Sequence, residues 1–317
     1  MRRYALASAS VSPKVATMDI DIFGSLLYQF ADNMAFLLLS ALGLIIILGV
    51  LNIVNLAHGE FIMIGAYVTS ICYYAGVPLA LCLLIAVVSV GLIGAALERT
   101  IIRRFYNNKI GAMVATWGVS LIISQGTFLV LGPSMRPIPL PSWQISLGIY
   151  SFSGYRVMLF IAALIAVALL WIYFHRSRAG IFTRATMQDS AMAEAIGINT
   201  VAIGTLAFAI GAGMAGLTGA LYSPTQSLVP LMGTTYTAMA FITVVVGGGS
   251  DPILGALVSS ALLAAVATPL AAAFGTFIGR VGILIAALVI IRIMPNGISG
   301  YITQAKRRRQ NVIARKA

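Results

Sequence analysis

Twenty-one consecutive residues, Met34 to Val54, carry no charge. As a helix rising 1.5 Å per residue they span roughly 31 Å, the thickness of a bilayer's hydrocarbon core. Comparable apolar runs follow at 61–76, 78–97, 111–132, 157–174, 201–222, 237–248, 252–274 and 279–294. They are continuously apolar rather than alternating, which excludes a transmembrane β-barrel. The chain is 60% hydrophobic and only 9% charged, whereas an ordinary soluble domain carries roughly 25% charged residues. The predicted fold class is therefore an all-α, polytopic membrane helical bundle of eight or nine transmembrane segments. The two short, Gly-flanked runs, 61–76 and 237–248, read as halves of broken helices.

The net charge of +12 would suggest nucleic acid in a soluble protein. In a membrane bundle it is first a topology signal. Arg99, Arg103, Arg104, Lys109, Arg176, Arg178, Arg184, Arg292 and the six basic residues between Lys306 and Lys316 fall on one side of the nine-segment scheme, fourteen of the twenty in all. Arg136, Arg156, Arg280, Arg2, Arg3 and Lys14 fall on the other. Positive charge is retained on the cytoplasmic side, so loops 98–110 and 175–200 and the C-terminus are expected there, and no nucleic-acid partner is expected. Residues 1–32 read as an N-terminal extension rather than a signal peptide, with 21–32 suited to an interfacial helix. Residues 33–303 form the transmembrane domain and 304–317 a basic cytoplasmic tail.

Ionisable groups at membrane depth cost about 2.5–3.5 kcal/mol each and are functional candidates by default. Asn55, His58 and Glu60 join two apolar runs with no recognisable turn. Such residues suit a helix break facing a protein-lined cavity, with Gly65 just beyond, or equally an ordinary turn at the end of the first span. A second interruption runs Gly247-Gly248-Gly249-Ser250-Asp251-Pro252. Each acid precedes a Gly-Ala pair, Gly65-Ala66 after Glu60 and Gly255-Ala256 after Asp251, as two halves of a repeat would. A Pro-initiated helix after a loop explains Asp251 as well. Gly211, Ala215 and Gly219 recur every fourth residue, as do Ala212, Gly216 and Ala220, a spacing that lets helices approach closely in lipid.

The loop 175–200 is predicted to hold one short amphipathic helix, Thr183 to Ile196, stopped at Gly197. Its apolar strip is Ala185, Met192, Ala193 and Ile196, against Arg184, Gln188, Asp189 and Glu194. An Ala-rich strip of this kind suits a groove in a partner protein.

Several chemistries are absent from the sequence. No Gly precedes any of the four lysines, so there is no P-loop. His58 and His175 lie in different segments, and Cys72 and Cys82 lack C-x-x-C spacing, so no metal site is expected. No arginine ladder or K⁺-channel filter occurs. An enzyme is not expected; a permease or pore for a small neutral or zwitterionic solute is.

Asn55-Leu-Ala-His58-Gly59-Glu60, followed by Gly65-Ala66-Tyr67, resembles the signature of LivH-type permeases, membrane subunits of branched-chain amino acid ABC importers. Thr116-Trp117-Gly118, Arg184-Ala185, Gln188-Asp189, Met192-Ala193, Gly197-Ile198, Val244 to Gly248 and Pro295-Asn296-Gly297 extend the resemblance over roughly 25–303. Ala115 to Gly118 and Thr183 to Gln188 are also similar to the close branch of UrtB-type permeases for urea and short amides. The resemblance implies a second, LivM-like permease, two ATP-binding subunits and an extracytoplasmic solute-binding protein, in the plasma (inner) membrane of a bacterium. ATP is then bound by the partners and no cofactor by this chain. Arg184, Gln188, Asp189, Met192, Ala193 and Gly197 would couple to the ATPases, while Asn55, His58, Glu60, Gly65, Gly247, Gly248 and Asp251 would line or gate the path. The alternative is a stand-alone channel or secondary carrier.

Overall fold

The structure, a computed structural model, describes residues 13–147, 150–249 and 251–304. The first twelve residues of the extension, Ser250 of the second interruption and the tail beyond Gln304 lie outside the described residues. Among those described, each of the nine apolar runs contributes a helix: α1 Pro13–Leu51, α2 His58–Tyr74, α3 Leu79–Thr100, α4 Lys109–Leu131, α5 Gly154–Arg176, α8 Thr200–Tyr222, α9 Met232–Gly247, α10 Pro252–Phe274 and α11 Thr276–Ile293. Two further helices, α6 Arg178–Gln188 and α7 Ser190–Ala195, occupy the loop between α5 and α8. Among the described residues seven helices are long and apolar enough to cross a membrane, α9 is a shorter apolar helix of 16 residues, and α2 has 17 residues.

Residues 21–32 are not a separate helix, since α1 runs without interruption across the boundary expected at 32/33. On α1 the Tyr28 hydroxyl donates to the Ser153 carbonyl. Ser153 ends a two-stranded hairpin, β1 Gln144–Leu147 with β2 Tyr150–Ser153, paired antiparallel. The all-α expectation did not include this hairpin.

The core is built on α1, α2 and α8, and the small-residue stripe of α8 is what brings them together. A Cβ at Gly219 would lie 1.8 Å from the Ile62 carbonyl oxygen, and one at Gly65 would lie 2.2 Å from that of Gly216. Gly211 and Gly43 pack backbone to backbone in the same way. Lipid offers no hydrophobic drive for such contacts, so close backbone approach and its dispersion supply the attraction.

The connections gather at two ends. Turn 52–57, the segment 101–108, α6–α7 and the α9–α10 turn meet at one, which also carries Arg99, Arg103, Arg104 and Arg184. The hairpin, the start of α5 and the end of α8 form the other, tied by an Asp32–Arg156 ion pair at 2.5 Å and by the Tyr222 hydroxyl donating to the Asp32 carbonyl at 3.2 Å.

Candidate functional site

Of the two readings left open for Asn55 to Glu60, the structure has the break rather than an ordinary end turn. Asn52 closes α1 with φ +51°, a left-handed conformation that asparagine tolerates better than most residues. The chain then turns back into the bundle instead of leaving it. Asn55 Oδ1 accepts from the Ala57 N–H at 3.1 Å, which nucleates the first turn of α2. His58 Nε2 lies 2.9 Å from the Ser40 carbonyl. Ser40 stands eleven residues before Leu51 on α1, about 16 Å at 1.5 Å per residue. The N-terminus of α2 therefore sits about halfway across a core of about 30 Å, so α2 begins inside the bundle.

There it meets α9. The Gly59 N–H donates to Thr237 Oγ1 at 2.8 Å, and a Cβ at Gly59 would lie 1.8 Å from the Gly233 carbonyl. Glu60 packs against Gly233 and is fully buried. Neither of its carboxylate oxygens has a hydrogen-bond partner among the described residues; the neighbouring Ser120 hydroxyl lies outside hydrogen-bond geometry. Asn55 Nδ2 and His58 Nδ1 are likewise buried and unpartnered. Unmet buried polar groups cost about 1–3 kcal/mol each, and several together mark a place held polar against that cost. Asn55, His58 and Glu60 are thus all buried at the start of α2, His58 against α1 and Glu60 against α9, closed to solvent in this conformation.

The other expected residues divide. Gly65 serves packing, against the backbone of Gly216. Gly247 and Gly248 end α9, and Gly248 adopts φ +80°, so close to the Pro295-Asn296-Gly297 turn that a Cβ there would lie 2.5 Å from the Asn296 carbonyl. Two motifs read separately from sequence are therefore one contact. Asp251 is exposed and caps α10, its Oδ1 accepting from the Leu254 N–H at 3.2 Å. The two acids that the repeat-like spacing pairs occupy unlike surroundings, Glu60 in the core and Asp251 on a helix cap.

The single helix expected over 183–196 is two. Asp189 interrupts it because its carboxylate accepts from the Met192 N–H at 3.0 Å, a cap that starts α7 and takes residue 189 out of helical geometry. Gly197, at φ +86°, stops α7, and the Ile198 N–H returns to the Ala193 carbonyl at 3.0 Å. Ala193 is buried, while Met192 on the same short helix and Ile196 just past its end are 63% and 70% exposed. Met187 of α6 lies against Gly49 near the end of α1.

At this end of the bundle a cleft of about 960 Å³ opens, lined by Gly49 to Asn52, Tyr106, Arg184, Gln188, Glu194, Gly248 and Pro252 among others. It unites Arg184 and Gln188 of the coupling set with Gly248 of the path set and with the turn at Asn52. Asn55, His58 and Glu60 do not line it.

A network beside the cleft was not evident from sequence, where Arg103 counted only as a topology charge. Glu98 is fully buried in the last turn of α3 and accepts two bonds from Arg103 at 3.1 Å, one from Thr205 of α8 at 2.6 Å and one from the Tyr106 hydroxyl. Burial, and then the bond to Glu98, push the Tyr106 phenol well above its ordinary value. An acid in the last turn of an apolar run, five residues before an arginine, was the available signal. Replacing Glu98 with Ala is expected to destabilise the protein by about 2–4 kcal/mol, since it strands the donors of Arg103, Tyr106 and Thr205 and removes the polar tie between the end of α3 and α8. Thermal unfolding in detergent measures this, and an unchanged midpoint would show the network to be idle.

A multi-pass helical bundle with a helix starting at mid-depth, and a cleft at the basic end, fits one class: a membrane transport subunit. The chain belongs to the family described as branched-chain amino acid transport system / permease component, whose model matches residues 26–294. It is 29% identical over 282 residues to the high-affinity branched-chain amino acid transport system permease protein LivH of Salmonella typhimurium, covering 83% of this chain and 90% of that protein. The LivH of Escherichia coli K12 is 28% identical over the same shares, and the permease protein BraD of Pseudomonas aeruginosa is 27% identical, covering 83% and 91%. No solved structure was found to match the chain.

Proposed function

We propose that this chain is one permease subunit of a bacterial plasma-membrane ABC importer for branched-chain amino acids, with its C-terminus cytoplasmic. Its partners on this reading are a LivM-like second permease, two ATP-binding subunits that supply the nucleotide site this chain lacks, and an extracytoplasmic solute-binding protein. The observation that carries the reading is the shared cleft, in which the exposed α6–α7 elbow, the end of α1 and the Gly248 turn meet.

The mechanism follows from those contacts. The ATPases bear on α6–α7 through Met192 and Ile196. Met187 passes the displacement to Gly49 and the end of α1, and Asn52 absorbs it as a hinge. The N-terminus of α2 shifts against α9, opening or closing the polar groups of Asn55, His58 and Glu60 to the path. Gly248, backed by the 295–297 turn, and Asp251, which fixes the start of α10, hold the opposite wall of the cleft.

Two measurements test this. Proteoliposomes holding the full set of subunits are expected to take up radiolabelled leucine in preference to urea; the reverse preference would move the chain to the urea and short-amide branch and overturn the substrate. Glu60→Gln, which keeps the shape packed on Gly233, is expected to cut leucine uptake at least about tenfold while the complex still assembles, because an ionisable group held buried at membrane depth costs stability and is a functional candidate by default. Wild-type uptake by that variant would remove Glu60 from the gate.

A further inference from the structure

At the end of the bundle away from the cleft lies a second, smaller pocket of about 130 Å³, between α1, the end of α8, the start of α9 and the start of α11. Asp32 stands on one side. Its Oδ2 accepts from Arg156 at 2.5 Å, but its Oδ1 is buried without a hydrogen-bond partner. Arg280 stands on another side, exposed and with no ion pair among the described residues. Phe36, Leu37 and Ile283 supply apolar surface between them.

Each part of this arrangement asks for something. A buried carboxylate oxygen with no donor is costly, and a cationic donor satisfies it best. A free guanidinium takes a carboxylate through paired N–H donors. Opposed charges flanking an apolar patch are complementary to a zwitterion with a short hydrocarbon side chain. A neutral solute such as urea has no use for either charge. We infer that this pocket is an external subsite for a free α-amino acid, its ammonium on Asp32 Oδ1, its carboxylate on Arg280 and its side chain on Phe36, Leu37 and Ile283. The inference rests on the amino-acid reading above and adds to it that the permease itself recognises the backbone of its cargo.

The test is equilibrium binding of radiolabelled leucine to the assembled complex in nanodiscs without the binding protein, competed by leucinamide, which lacks the carboxylate, and by 4-methylpentanoate, which lacks the ammonium. Both are expected to compete at least about tenfold more weakly than leucine, the loss of one charged hydrogen bond. Arg280→Gln, an exposed change that breaks no ion pair seen among the described residues, is expected to abolish the preference for leucine over leucinamide while keeping the preference over 4-methylpentanoate. An unchanged leucine-to-leucinamide ratio in that variant, or no leucine binding by the wild-type complex, overturns the subsite. The two failures separate cleanly. If the complete wild-type system imports no branched-chain amino acid, the functional reading falls. If it imports leucine and Arg280→Gln leaves the ratio unchanged, only the subsite does.

Discussion

Replacing Met192 and Ile196 together by aspartate is expected to cut substrate-stimulated ATP hydrolysis by the assembled complex at least about thirtyfold, the loss of one interfacial hot spot worth about 2 kcal/mol. Met192 on α7 and Ile196 at its C-terminal end have most of their surface exposed, and Ile181 and Phe182 of α6 are exposed as well. Ala193, at 2% exposed, anchors α7 from the other side, so the double substitution leaves the chain's own packing intact. Placing aspartate at Ala193 instead would bury a charge inside this chain, and its effect would not report on a partner. Co-purification of the ATP-binding subunits and ATP turnover read the result. Full turnover with bound ATPases would show that the elbow is not the docking surface.

Gly59→Ala is expected to be the most damaging single substitution near the candidate site. The added methyl would stand 1.8 Å from the Gly233 carbonyl oxygen and 2.7 Å from its carbon. These are backbone atoms, so no rotamer change relieves the clash, and α2 must part from α9. Losses above about 4 kcal/mol belong to this kind of steric conflict, and little folded complex is expected in detergent extracts. Gly118→Ala is the control. Nothing lies within 4 Å of the added atom on α4, and alanine in a helix interior is favoured over glycine by roughly 0.5–1 kcal/mol. Equal yields and unfolding midpoints for the two variants would mean that α2 and α9 do not meet as described.

Much of this architecture was legible because membrane spans announce themselves locally. Twenty apolar residues have few alternatives in lipid, and all nine runs correspond to helices among the described residues. At Asn55–Glu60 the residues were legible as a candidate break but fitted an ordinary end turn equally well, because sequence does not give the depth at which α2 begins. The elbow at Asp189 was missed because the amphipathic period continues through it, while the competing local signal, a carboxylate able to cap the next turn, decided the geometry. The Glu98 network joins residues more than 100 positions apart, and neither spacing nor charge pattern encodes such a pairing. The contact between the Gly248 and Gly297 turns has the same origin. The hairpin at 144–153 was hidden because two four-residue strands fall below what alternation can reveal. Similarity of spacing also misled: Glu60 and Asp251 share a following Gly-Ala pair, yet their neighbours, which spacing does not set, make one a core carboxylate and the other a cap.

The most direct measurement of ATP-driven import through this subunit is leucine accumulation in proteoliposomes with ATP supplied on the side of the basic end. The complete set of two permeases, two ATP-binding subunits and the solute-binding protein is expected to accumulate leucine against its gradient, and this chain alone is expected to move none. Leucine flux through the chain alone, without ATP, would contradict an ABC permease and show a self-sufficient channel or carrier.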